Sequence, residues 1–153
     1  MKLKTVLSAL MFSLVVPASV SHGLEPKAAK ASATEVVDLP AAKIEETLKK
    51  DPKIVIIDIR TPEEFAEGHL QGAKNIDFNG GDFKAKLNKL DKSKTYMMHC
   101  RSGGRSTESL KVWKELGFKK VIHLNKGILE MQEAKIPLVK GKPDDTKPEP
   151  KKK

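Results

Sequence analysis

The run Lys53–Ile59 places Ile54, Val55, Ile56 and Ile57 in unbroken succession before Asp58 and Arg60. An amphipathic helix would interrupt such a run with polar residues, and a half-exposed strand would alternate with them. Four consecutive β-branched residues predict a central parallel strand covered on both faces. Such a sheet needs helices on each side, and the neighbouring pattern supplies them. Val36 to Leu39 reads as a short strand. Pro40 then starts a helix with Ala41, Ile44 and Leu48 on one face, stopping before Pro52. Thr61, Pro62 and Glu64 form a capping-box start. Asn75 to Phe78 is a short, ambiguous strand, Asp82 to Leu90 a helix with Phe83, Leu87 and Leu90 inward, and Thr95 to His99 another strand. A helix through Leu110, Trp113 and Leu116 closes at Gly117, a strand covers Val121 to Leu124, and a last helix follows Gly127. Strands alternating with helices in this way predict a three-layer α/β fold with a mainly parallel sheet.

The 153 residues allow one domain with appendages, and 39% apolar with 32% charged composition supports one real core. The net charge of +9 is unevenly spread. Residues 1–23 carry +2 and residues 140–153 carry +3, leaving +4 for the rest. That mildly basic body, with one Tyr and one Trp, has no basic stripe interleaved with aromatics on which nucleic-acid bases would stack. A single cysteine closes no disulfide within the chain, and one thiolate with four scattered histidines falls short of a structural zinc cage. No metal or other cofactor is implied.

Residues 1–23 place Lys2 and Lys4 ahead of an apolar run from Val6 to Val16, then Pro17 and small residues. This reads as a secretory signal peptide, because the run is shorter than the roughly 18 residues of a spanning helix. No cysteine follows it to take a lipid. The mature chain is therefore expected without a membrane span and exported, to a bacterial periplasm. Residues 24–34 read as a flexible linker, residues 35–139 as the folded domain, and residues 140–153 as a disordered, Lys- and Pro-rich tail.

The chemistry concentrates in YMMHCRSGGRSTESL, where Cys100 ends a strand and the chain turns directly into a helix. In open α/β sheets ligands bind just beyond the carboxyl ends of strands. A cysteine at a helix amino terminus faces unpaired N–H groups and the positive end of the helix dipole. Arg101 and Arg105 add cationic charge, which favours thiolate over thiol. Gly103 and Gly104 let the backbone curl so that successive N–H groups face one concavity, a nest for an anion. Asp58 and Arg60, at the end of the central strand, read as a structural ion pair or helix cap that supports this loop. His99 precedes the nucleophile, yet alternation along the strand sends it to the opposite face, so it is not expected to be a general base. A preformed thiolate needs none.

HCRSGGRS resembles the active-site loop of the rhodanese family. DIRTPEEFAEGHLQGAKNI, residues 58–76, is similar to that family's upstream signature, and Leu116, Gly117, Phe118 and the following VIHL match its helix end and next strand. The resemblance spans about residues 35–137. It implies a five-stranded parallel sheet flanked by helices and a sulfurtransferase acting through a persulfide on Cys100. The donor would be thiosulfate or a similar small anion and the acceptor cyanide, a thiol or a partner protein. Backbone N–H groups from Arg101, Ser102, Gly103, Gly104 and Arg105 would hold the negative sulfur. Arg105 would close the loop, and Arg101 would sit on its rim. His69, in the Gly-His signature, would fix a turn. Family members often carry two glycines and a later tryptophan after the last strand, where this chain has Asn125, Lys126, Gly127 and Met131. If the first of those positions requires positive φ, Lys126 costs about 1 kcal/mol there. Lys126 and Met131 are expected at the pocket rim, where they would alter acceptor preference.

Two other classes compete. Cysteine phosphatases and arsenate reductases also set a thiolate in an arginine-closed loop, but with five residues between Cys and Arg; RSGG supplies four. A tetrahedral oxyanion needs the wider ring, so the count favours sulfur. The other alternative is a persulfide carrier or binding module that is loaded and unloaded by a partner without turnover.

Overall fold

The computed structural model describes residues 33–142; the expected signal peptide, most of the expected linker and residues 143–153 of the expected tail lie outside them. The elements run in the order β1 (Glu35–Asp38), a 3-10 turn (Ala41–Lys43), α1 (Ile44–Lys50), β2 (Val55–Asp58), α2 (Pro62–Glu67), β3 (Lys74–Asn75), α3 (Phe83–Asn88), β4 (Thr95–His99), α4 (Gly104–Glu115), β5 (Lys120–Leu124) and α5 (Gly127–Glu133). The strands form one five-stranded parallel sheet in the order β1-β5-β4-β2-β3.

The unbroken apolar run behaves as expected of a strand with two buried faces. Ile56 joins Met97, Ile122, Ile44, Phe65 and Met131 on one side of the sheet. Ile57, one residue on, joins Met98, Val121, Phe83, Leu87 and Trp113 on the other. Helices α1, α2 and α5 therefore cover one face, and α3 and α4 the opposite one. On the second face the Trp113 ring packs 5.5 Å from Tyr96 and 4.6 Å from Phe118, centroid to centroid. Aromatic clusters of this kind contribute beyond the area they bury.

The third strand is shorter than the Asn75 to Phe78 span expected from sequence. Its partner β2 ends at Asp58, so paired register stops at Asp58 with Asn75. Past that point the chain is held only by single bonds from Ile76 N–H to the Asp58 carbonyl and from Phe78 N–H to the Ile59 carbonyl. Leu90, expected inward, is only partly buried against the α3 and α4 face.

The topology sets the position of the site. In a parallel sheet every strand ends at the same edge, and β4 and β5 are central neighbours there. The loop after β4 and the turn after β5 consequently meet.

Candidate active site

Cys100 follows β4 and is 1% exposed. Its Sγ accepts hydrogen bonds from the N–H of Gly103 at 3.1 Å and of Ser106 at 3.4 Å, and stands 3.4 Å from the Ser106 hydroxyl. Burial pushes the Cys100 thiol up. The hydrogen bonds from the Ser106 hydroxyl and from the N–H groups of Ser106, Gly103 and Ser102 outweigh it, so the thiol titrates below its usual range.

The curl of the loop rests on Gly103, whose φ is +102°. A Cβ there would lie 1.8 Å from the Asn125 carbonyl oxygen, so the turn after β5 presses directly on the loop. Gly104 is already the first residue of α4, and a Cβ on it would meet nothing within 4 Å. The expectation that both glycines provide the curl is thus corrected to Gly103 alone. Hydrogen bonds to Sγ come from the N–H groups of Gly103 and Ser106, with the Ser106 hydroxyl beside them, and the Arg105 side chain is turned to Glu64.

Arg105 donates two hydrogen bonds to Glu64, at 2.7 and 2.8 Å. Glu64 is also the capping-box residue of α2: its carboxylate accepts from Thr61 N–H at 3.2 Å, while its own N–H donates to Thr61 Oγ1 at 3.3 Å. One carboxylate therefore ties the start of α2 to the cysteine loop. The Arg105 guanidinium beside it holds the Glu64 carboxyl below the usual carboxylate range.

The loop is gripped from a second side by α5. Ile128 N–H donates to the Cys100 carbonyl at 3.0 Å and Leu129 N–H to the Arg101 carbonyl at 3.1 Å. With these carbonyls turned outward to α5, the N–H groups beyond them are free to turn inward to sulfur. Gly127, at φ +64°, permits the approach, since a Cβ there would lie 2.5 Å from both carbonyl oxygens. Lys126 has φ −102°, so no strain falls on it, in contrast to the expectation above. Its side chain is exposed and reaches Glu130 at 3.6 Å. Met131 is fully buried in the core under α1 and α5 and takes no part in the rim, because the inward face of α5 must fill space above the sheet.

Asp58 and Arg60 form a buried ion pair, with Arg60 Nη2 to Asp58 Oδ2 at 2.6 Å and both carboxylate oxygens 3.0 Å from Nε. Nη2 also donates to the Gly68 carbonyl at 2.7 Å, and Asn75 Nδ2 donates to the carbonyls of Asp58 and Arg60 at 3.1 and 2.7 Å. The upstream signature is therefore one polar knot joining β2, the end of α2 and β3. His69 donates from Nδ1 to the Phe65 carbonyl at 2.8 Å and stacks on the Phe65 ring at 3.6 Å. Its backbone pairs with Val139, which docks the segment after α5. His99 lies on the Asp58 side of the sheet, across from the sulfur. Burial keeps it neutral against the pull of Asp58, whose carboxylate is 3.8 Å away and too far for a hydrogen bond.

Arg101 is exposed and lines a groove of about 330 Å³ with Arg60, Glu64, Ile128 and Leu129. Ser102 is exposed beside it.

Sequence reasoning passed over two residues that the fold brings to the sulfur, Ser106 directly and His123 behind it. Ser106 Oγ lies 2.9 Å from His123 Nε2. A signal was present: His123 sits in the middle of a buried strand, where an unpaired polar group costs several kcal/mol and so implies a partner.

Residues 41–134 match the model of the rhodanese-like domain. The chain is 39% identical over 87 residues to a putative sulfurtransferase, YtwF, of Bacillus subtilis, an alignment spanning 57% of this chain and 82% of that one. It is 30% identical over 106 residues to a putative sulfur carrier protein, YrkF, of the same bacterium, covering 69% of this chain and 55% of that longer relative. Two other matched relatives have 62% and 22% of their lengths spanned. A rhodanese-related protein of Thermoplasma volcanium superposes with a TM-score of 0.58 at 25% identity, over 69% of this chain and 97% of that one. Fold, cysteine loop and relatives agree on sulfur transfer as the general chemistry, and the chain belongs to the rhodanese-like domain family.

Proposed function

We propose that this protein is a thiosulfate sulfurtransferase working through a persulfide on Cys100. The observation that carries the reading is the convergence of the Gly103 and Ser106 N–H groups on a single sulfur atom, with the Ser106 hydroxyl 3.4 Å from it. Donors aimed at one atom stabilise a negative charge on that atom, which suits a Cys100 thiolate as nucleophile and as the group released when the acceptor takes the sulfur. The Cys100 thiolate attacks the outer sulfur of thiosulfate. The donor S–S bond breaks, sulfite leaves with its electron pair, and the sulfur remains as Cys–S–S⁻. Cyanide or an acceptor thiolate then attacks that terminal sulfur, the Cys100 S–S bond breaks, and the thiolate returns. Arg101, exposed at the groove, attracts the dianionic donor. The charged region 1–23 directs export, which places the activity in a bacterial periplasm; cell fractionation with amino-terminal sequencing of the mature chain checks this.

The test is thiosulfate:cyanide turnover and intact mass of wild type and Cys100→Ser. The wild type should turn over and, after thiosulfate alone, gain about 32 Da. Cys100→Ser should do neither while unfolding at the same temperature, since oxygen forms no persulfide and the volume change is small. Turnover by Cys100→Ser near the wild-type rate sinks the proposal. The similarity to the putative sulfur carrier favours a second reading, a persulfide carrier emptied by a partner protein. Mass gain without turnover to cyanide or small thiols would select it. Hydrolysis of an aryl phosphate with no response to thiosulfate would replace both with a cysteine phosphatase.

A further inference from the structure

A thiol that is 1% exposed can become a thiolate only if its proton has an acceptor and a way out. Three side chains lie in line from the sulfur to solvent. Cys100 Sγ is 3.4 Å from Ser106 Oγ, Ser106 Oγ is 2.9 Å from His123 Nε2, and His123 Nδ1 is 2.9 Å from Asp38 Oδ1. Ser106 and His123 are buried, whereas the Asp38 side chain is 63% exposed. Each comes from a different element: Ser106 from the first turn of α4, His123 from β5, and Asp38 from β1, which pairs with β5 so that Asp38 is the register partner of His123.

The hydrogens can be assigned from chemistry. The Asp38 carboxylate only accepts, so Nδ1 carries a hydrogen toward it. In the neutral ring Nε2 is then an acceptor and faces the Ser106 hydroxyl. The groups that face His123 are Asp38 from β1, Ser106 from α4 and, from β4, its register partner Met98, which carries no charge.

We propose that Ser106, His123 and Asp38 form a proton relay that generates the Cys100 thiolate and leads its proton toward solvent. The thiol proton passes to Ser106 Oγ as the hydroxyl's own proton passes to His123 Nε2. The products are a thiolate, an intact serine hydroxyl and an imidazolium held by the Asp38 carboxylate. One proton has moved in two coupled hops, no electron has changed hands and the total charge is unaltered. In this state Nε2–H donates to Oγ, and the hydroxyl hydrogen lies between Sγ and the Gly103 carbonyl, 2.9 Å away. Ser106 thereby touches the reacting sulfur, while His123 and Asp38 act through it. The relay rests on Cys100 being the nucleophile proposed above, and it extends that reading by naming where the proton goes.

The pH profile of Cys100 alkylation by iodoacetamide, a neutral probe, tests the relay on the full chain without involving a sulfur donor. Wild type should inflect below the ordinary cysteine value of about 8.5. His123→Gln keeps an amide donor near Ser106 but cannot take a proton. It should move the inflection upward by roughly one unit, a loss of about tenfold in alkylation rate at neutral pH, with little change in unfolding temperature. Asp38→Asn, at an exposed position that leaves the sheet intact, should move it the same way by less. The Ser106→Ala and Ser106→Ala/His123→Gln variants should share one profile, because removing the middle of a chain disconnects its end. Profiles of His123→Gln and Asp38→Asn that both coincide with wild type overturn the relay, even if Cys100-dependent sulfur transfer is present. Shifted profiles in a protein that transfers no sulfur overturn the proposed function and leave the relay standing.

Discussion

Glu64 shows how much one side chain can connect. It caps α2 through Thr61 and holds Arg105 in a bidentate pair, so the residue that starts one helix also steadies the loop that starts another. Arg105 contributes a cation within reach of the Cys100 charge, and the pairing to Glu64 fixes where that cation sits. Arg105→Ala should remain folded but transfer sulfur roughly 10- to 100-fold more slowly, the loss expected for one charged hydrogen-bonded group of about 1.5–3 kcal/mol. Glu64→Gln should slow transfer less, since it keeps an acceptor for the guanidinium but loses the charge. Steady-state kinetics of the two variants checks the order. A larger loss in Glu64→Gln than in Arg105→Ala would show that the carboxylate itself, and not the arginine it holds, serves the reaction.

The cysteine loop is short, and its shape comes from the elements around it. Helix α5 takes the carbonyls of Cys100 and Arg101, α2 takes Arg105 through Glu64, and the turn after β5 leaves no room for a side chain at Gly103. Gly103→Ala combines left-handed strain of about 1–2 kcal/mol with a backbone collision, so it should lower the unfolding temperature and slow Cys100 alkylation together. Gly104→Ala, at the start of α4 with open space around it, should hold or slightly raise the unfolding temperature. Inserting one glycine between Gly103 and Gly104 separates the Gly103 and Ser106 donors. Each aimed donor of this kind contributes roughly 3 kcal/mol, so sulfur transfer should fall by about 100-fold, measured as thiosulfate:cyanide turnover. An insertion variant with wild-type turnover would show that the donors need not converge.

Across the whole molecule, buried polar groups make stability depend on pH. His99 is buried and neutral, so its folded pKa lies below that of an unfolded histidine, about 6.5. The unfolded chain then binds a proton that the folded chain refuses, and stability falls as pH drops below that unfolded value. Glu64 has the same sign in a lower window. Its folded pKa is lowered by Arg105, so its contribution is present above the unfolded carboxylate value of about 4.3 and is lost as pH falls through the folded value. The urea midpoint should accordingly decline from neutral to pH about 5, and His99→Gln should flatten that first decline, with a slope of up to roughly 1.4 kcal/mol per pH unit removed. An unflattened curve would place the titrating group elsewhere.

The sequence by itself determined the α/β class, the order of elements, the fully covered central strand and the strand-to-helix loop that carries Cys100, because each is written in local patterns. The apolar run needs no partner to be read, the capping box occupies four adjacent residues, and CRSGGR is contiguous. It was legible too that Asp58 and Arg60, two residues apart, would pair. Local pattern misled where a residue's surroundings arrive from far along the chain. The positive φ considered for Lys126 falls on Gly127, which adopts it freely, and Met131, expected on the rim, is turned into the core by α5. Only the tertiary structure joined Arg105 to Glu64 across 41 residues, and His123 to Asp38 across 85. The physical reason is that parallel pairing brings strands distant in sequence edge to edge: β1, β5 and β4 are neighbours in the sheet, and their registers, not the spacing of residues along the chain, decide which side chains end at the sulfur.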